Sequence, residues 1–180
     1  MEIEILNSSK RPSASIVMRM VKFEAGFGTN AFLISQTPVT IAQWKDLVED
    51  TFEANATLPM VNVDWIEASA FCDRCGLGMR LPTELEWCRA AGLEPLVLAE
   101  HAVFGKRSLP DVATKKPNEF NLYDMRGLVW EWLMDKESEL RVLRGGSWAG
   151  NERYAKGLYR NLRHPHYKDE ETGFRVVRSL

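Results

Sequence analysis

Cys72-Asp73-Arg74-Cys75 spells C-x-x-C, a spacing at which two thiols can act as a redox pair or as half of a metal site. Zinc takes four ligands, however, and the chain holds no second pair, its remaining cysteine being Cys88. Cys72 also shares the apolar side of a helical run with Trp65, Ala68 and Phe71, so it reads better as a small buried hydrophobe, and Cys88 reads as packing too. His164-Pro165-His166 offers two imidazoles to a metal, but a facial site needs a third ligand, and only Asp169, Glu170 and Glu171 lie near. No Ser-His-Asp order, phosphate-binding loop or dinucleotide fingerprint occurs, which leaves nucleophilic and nucleotide chemistry without support.

The side chains favour recognition over reaction. Between Gly145-Gly146-Ser147-Trp148 and Gly173-Phe174-Arg175 the chain is polar and aromatic and nearly free of aliphatic residues, so this segment cannot make a core of its own. It reads as a surface excursion pinned at both ends, with Trp148, Tyr154, Tyr159 and Tyr167 as more aromatic surface than an idle loop carries. The candidate ligand-binding residues are Trp148, Asn151, Arg153, Tyr154, Asn161, Arg163, His164, His166 and Tyr167, expected to be partly exposed on one face. Trp148, Arg160 and Phe174 are expected to hold the segment in place. Lys156, Arg160, Arg163 and Lys168 are offset by Glu152, Asp169, Glu170 and Glu171, which points to a protein or glycan partner rather than nucleic acid.

The elements that must position this segment are legible in outline. Ile3–Leu6 and Ala14–Phe23 read as strands separated by the turn-forming stretch 7–12, and Ala31–Gln36 reads as a third. Thr40 is a plausible cap for a helix over residues 41–52, with Ile41, Trp44, Leu47 and Val48 on one face. Asp64 with Glu67, and Thr83 with Glu86, form capping boxes that open helices running to about Cys75 and Ala91. Residues 92–118 read as irregular. Trp44, Trp65, Phe71, Trp87, Trp130 and Trp132 are expected in the core.

With 180 residues and a formal net charge of -2, the expectation is a single domain with no electrostatic pull towards nucleic acid or membrane. An odd cysteine count, no signal-like N-terminus and no apolar run near the ~20 residues of a membrane span point to a cytoplasmic protein, or a virion-associated one if phage-encoded.

The run Asn118-Glu119-Phe120-Asn121-Leu122-Tyr123-Asp124-Met125-Arg126-Gly127-Leu128-Val129-Trp130-Glu131-Trp132 resembles a signature of the formylglycine-generating or sulfatase-modifying-factor family. So do PVTIAQW from Pro38, PMVNVDWIEASAFC from Pro59, RLPTELEW from Arg80, RVLRGGSW from Arg141 and GFRVV from Gly173, in the family's order over roughly residues 30 to 178. The resemblance implies one lectin-like domain over residues 1–180 of α+β class, C-type lectin-like, with a small twisted antiparallel sheet, two main helices and adjacent termini. The family's copper-dependent oxidases carry a cysteine pair between GGS and GFR, and here that segment has none. The implied function is a ligand-binding module without metal or cofactor, similar to the variable proteins of diversity-generating retroelements; the alternative is a cysteine-independent oxidative enzyme of the same fold. Where the family commonly has Asn beside a calcium-holding Glu, this chain has Leu128, so Glu131 is expected to serve structurally, hydrogen-bonded to backbone amides, at least as readily as to hold calcium.

Overall fold

The computed structural model describes residues 1–6, 15–49, 57–92, 97–156 and 159–180. The two expected strands are present as β1 (Glu2–Leu6) and β2 (Ser15–Phe23), and they pair antiparallel. In β2, Val17 and Arg19 face solvent while Met18 and Met20 are buried, the alternation that made the strand readable. Strand β3 (Phe32–Ser35) is buried at every position because apolar layers cover both of its faces, so it reads as a continuous run. The expected turn at 7–12 and the end of the first helix beyond Glu49 lie outside the described residues.

All three expected caps are present as reciprocal capping boxes: Thr40 with Gln43, Asp64 with Glu67, Thr83 with Glu86. They open α1 (Ile41–Trp44), α2 (Trp65–Cys75) and α3 (Glu84–Ala91). The run after Thr40 is not one α-helix, since past Trp44 it widens into a π-helical turn over Lys45–Glu49. Tertiary packing overrides the local pattern there: Trp44 stacks on Phe71 at 5.5 Å, and the widened turn delivers Leu47 to the same core. Within the stretch read as irregular, Leu98–His101 forms a short helix, α4.

The remaining elements are β4 (Met79–Arg80), β5 (Trp130–Glu137), β6 (Leu140–Arg144), α5 (Glu152–Ala155), β7 (Asn161–Arg163), β8 (Thr172–Gly173) and β9 (Val177–Ser179). Among the described residues, one sheet is antiparallel in the order β1-β2-β3-β9-β4, so the first and last strands belong to it together. A second sheet is ordered β7-β6-β5-β8, with β8 parallel to β5. The class is α+β as expected, with a second, mixed sheet added.

One apolar layer joins Leu33, Trp44, Phe71, Trp130, Trp132 and Phe174; the other joins Phe32, Ile34, Trp87, Leu122, Leu133 and Val142. Of the aromatic residues expected in the core, Trp65 is half-exposed: its indole N–H donates to Leu133 O at 2.9 Å, and the Arg141 guanidinium covers its ring at 3.6 Å. Against Trp87 of the second layer lies a fully buried ion pair. Arg175 donates to both oxygens of Glu131 at 2.7 and 2.8 Å and to the carbonyls of Ser35 and Tyr123, while Trp87 Nε1 donates to Glu131 at 2.6 Å. The structural role expected of Glu131 is therefore met by a guanidinium and an indole rather than by backbone amides, because Arg175 arrives from the far end of the sequence.

Candidate functional site

The two ends of the 148–172 segment are locked by close backbone approach. Gly146 has φ +83°, and a Cβ there would lie 2.9 Å from the Tyr154 backbone, so only glycine lets α5 pack against this turn. A Cβ on Gly173 would lie 2.4 Å from Met60 O, and the adjacent Phe174 is fully buried edge-on to Trp44 and Phe71. Trp148 packs on Val103, Leu128 and Val129, and its indole N–H donates to Glu170 O at 3.0 Å. Ser147 Oγ donates to the Glu171 carboxylate and accepts the Gly150 N–H. Arg160 pairs with Glu84 at 2.9 Å and Glu137 at 2.6 Å, tying the middle of the segment to α3 and the end of β5. Trp148, Arg160 and Phe174 thus occupy the holding positions expected of them.

Between these anchors the segment is not a bare excursion. Asn151 caps α5 by accepting the Arg153 N–H, and Ala155 buries itself against Leu98, Ala102 and Phe104. Arg153 stays exposed, while Tyr154 packs half-buried against the core layer of Trp130. The Arg153 guanidinium lies 4.5 Å from the Tyr154 ring and donates to its hydroxyl; Tyr154 meets Tyr159 edge-on at 4.7 Å, and both lean on Trp130, at 5.9 and 6.2 Å. Farther along, β7 pairs with β6, placing Asn161 beside Leu143, which is itself beside Trp132. Leu162 packs towards Trp87 and Val142, so Asn161 and Arg163 sit on the opposite face of the sheet, the face of Trp130 and Trp132.

Arg163 lies over the Tyr167 ring at 5.2 Å, and Tyr167 donates to Asp169 Oδ2 at 2.5 Å. His164 and His166 pack ring to ring at 5.5 Å, and His166 Nδ1 is 3.6 Å from Asp64 Oδ2. Asn151, Arg153, His164 and His166 are exposed, and Trp148, Tyr154, Asn161, Arg163 and Tyr167 are half-buried. They form two groups, one around Tyr154 and one around Arg163 and Tyr167. Sequence reasoning placed Trp130 only in the core, although it floors the first group, and did not count Tyr159, which is 46% exposed, among the binding candidates. No periodicity marks Trp130, since the tyrosines reach it through the fold.

The charges are less balanced than the residue types indicate. Lys156 pairs with Glu152, Arg160 with Glu84 and Glu137, and Lys168 with Glu67, while Asp169 and Glu171 accept from hydroxyls. Arg153 and Arg163 bond to tyrosine, asparagine and backbone instead. Clefts of about 580 and 490 Å³ lie beside β1 and β2 and are lined by no residue of the segment.

The thiols lie elsewhere. Cys72 and Cys75 are buried in the core, where burial raises both pKa values, that of Cys75 up to about 12. Burial also raises the half-buried Cys88. Among the described residues, no group of three His, Cys, Asp or Glu side chains is placed to hold a metal ion, and no helix is long and apolar enough to cross a membrane.

Residues 22–95 and 97–180 match the sulfatase-modifying factor enzyme 1-like domain. The chain is 30% identical over 151 residues to the serine/threonine-protein kinase pkn1 of Chlamydia pneumoniae, covering 68% of this chain and 24% of that protein. It is 36% identical over 118 residues to the inactive C-alpha-formylglycine-generating enzyme 2 of Mus musculus, covering 51% of this chain and 38% of that protein. The chain therefore spans well under half the length of either relative. In structure it superposes on Treponema denticola variable protein 1 with a TM-score of 0.84 at 22% identity, covering 99% of both chains. That likeness establishes the fold, C-type lectin-like, and with the domain match across nearly all of the sequence the chain belongs to the sulfatase-modifying factor family.

Proposed function

We propose that the chain is a ligand-binding module that presents the 148–172 segment as its recognition surface and does no chemistry of its own. The observation that carries this reading is the aromatic platform of Trp130, Tyr154 and Tyr159, flanked by Arg153 and held from below by Ala155 and Gly146. Rigid aromatic area beside adaptable Asn, Arg and His side chains suits binding a protein or glycan at low entropic cost. The structural likeness to a variable protein and the word inactive in the name of the mouse relative support it. On this reading the segment belongs to a retroelement-diversified or phage-associated binder working in the cytoplasm or on a virion, and binding needs no metal. The alternative of a cysteine-independent oxidase finds no favouring observation.

The test is capture of partners from host lysate and on a glycan array with the wild type and with a Tyr154→Ala, Tyr167→Ala double variant. Loss of an exposed aromatic at a binding centre costs about 2 kcal/mol, roughly thirtyfold in affinity, so true partners drop out with the variant. Equal recovery of every partner by both proteins removes this surface from consideration.

A further inference from the structure

The recognition surface has a second wall that the segment's own sequence does not contain. Gly105 N–H donates to Gly150 O at 2.9 Å and Lys106 N–H to Trp148 O at 2.8 Å, which lays the loop at 105–107 directly along the start of the segment. Lys106 and Arg107 are exposed, and among the described residues neither makes an ion pair or side-chain hydrogen bond. They stand beside the turn that leads into Arg153, whose guanidinium is spent on a tyrosine rather than a carboxylate. Arg163 on β7 likewise has no carboxylate partner among the described residues. Asp169, Glu170 and Glu171 likewise have no cationic partner among the described residues, since Asp169 and Glu171 accept from hydroxyls and backbone, whereas Glu152 pairs with Lys156. Four cations of this face, Lys106, Arg107, Arg153 and Arg163, thus stand without an acidic partner among the described residues against those three carboxylates, and Lys106 and Arg107 stand together on the loop at 105–107.

Resting on the reading of this segment as a recognition surface, we infer that its partner is a protein that docks an acidic segment, with carboxylates against Lys106 and Arg107 and an apolar or aromatic side chain on the Tyr154–Tyr159–Trp130 platform. A carboxylate arriving at an exposed guanidinium gains charge-assisted hydrogen bonds without breaking an existing ion pair. The attraction speeds encounter and weakens with salt, because the Debye length is only about 8 Å at physiological ionic strength.

The experiment pans a random twelve-residue phage-displayed peptide library on the purified chain. The recovered peptides are then titrated by fluorescence anisotropy against the wild type, Lys106→Glu/Arg107→Glu, Tyr154→Ala/Tyr159→Ala and a remote control, Lys22→Glu. Expected are peptides enriched in Asp and Glu over the input library, at least tenfold weaker binding to the Lys106→Glu/Arg107→Glu protein, unchanged binding to the control, and affinity that falls with added salt. Both reversed positions are exposed, so thermal melts of these variants should match the wild type. Peptides without acidic enrichment, or affinity within twofold after charge reversal while the tyrosine variant still loses binding, overturns the acidic-partner inference and leaves the recognition surface standing. Recovery of no peptide, or of peptides indifferent to the tyrosines, overturns both.

Discussion

Glu131 and Arg175 lie 44 residues apart in sequence and meet, with Trp87, in a site with no solvent exposure. A buried charge that loses its partner is costly, about 3–5 kcal/mol, so Glu131→Gln should lower the urea midpoint sharply even though the shape is conserved. A loss of unfolding free energy below about 1 kcal/mol would mean that the pair is not the junction described. Asp124 is another buried charged group: burial raises its pKa from 3.8 to about 6, Ala113 N–H and Arg175 oppose the rise, and Glu131 adds to it. A carboxyl whose folded pKa is raised favours the fold while protonated, so this contribution is fully present below about pH 4 and is lost as pH rises through about 6. This rise corresponds to about 3 kcal/mol at most. Urea titrations of the wild type and Asp124→Asn from pH 4 to 7 check it. The variant should show the flatter profile, and its φ of +59° is one that asparagine tolerates.

At the scale of elements, what was legible follows from what was local. The three capping boxes, the alternation in β2 and the unbroken apolar run of β3 each carry their cause within a few residues, and each is found where it was read. The π-turn after Trp44, the four-residue α5 and the three-residue β7 do not, because elements so short owe their stability to what they pack on: Phe71, Phe104 and strand β6. For the same reason, the binding candidates can be named from side-chain type, whereas their division into a group around Tyr154 and another around Arg163 and Tyr167 is set by the packing of α5 and the register of β7 on β6, which no sequence window contains. The turn that seats α5 makes this testable. Gly146→Ala places a Cβ at 2.9 Å from the Tyr154 backbone at φ +83°, which should cost about 1–2 kcal/mol and shift the Trp130–Tyr154 signal in near-ultraviolet circular dichroism. An unchanged signal would show that α5 is not held by this contact.

Over the whole molecule, β3 carries one apolar layer on each face, and the Glu131–Arg175 pair ties Trp87 of one layer to the backbone of Ser35 at the end of β3, so the two layers should lose their packing together. The cysteines report on this. Cys72 and Cys75 belong to the layer that includes Trp44 and Phe174, and Cys88 packs at the edge of the layer that includes Trp87. In native buffer an alkylating reagent should reach half-buried Cys88 first. Cys72 and Cys75, whose thiolates are suppressed by burial, should react only through unfolding. Pulse labelling across a urea series should therefore give Cys72 and Cys75 the same midpoint as tryptophan fluorescence, in one transition, as a single domain requires. Since none of the three thiols lies in the 148–172 segment, prior alkylation of Cys88 should leave peptide affinity unchanged. Labelling of Cys72 well before the fluorescence change would mean that the layers come apart separately and that the chain holds two units rather than one.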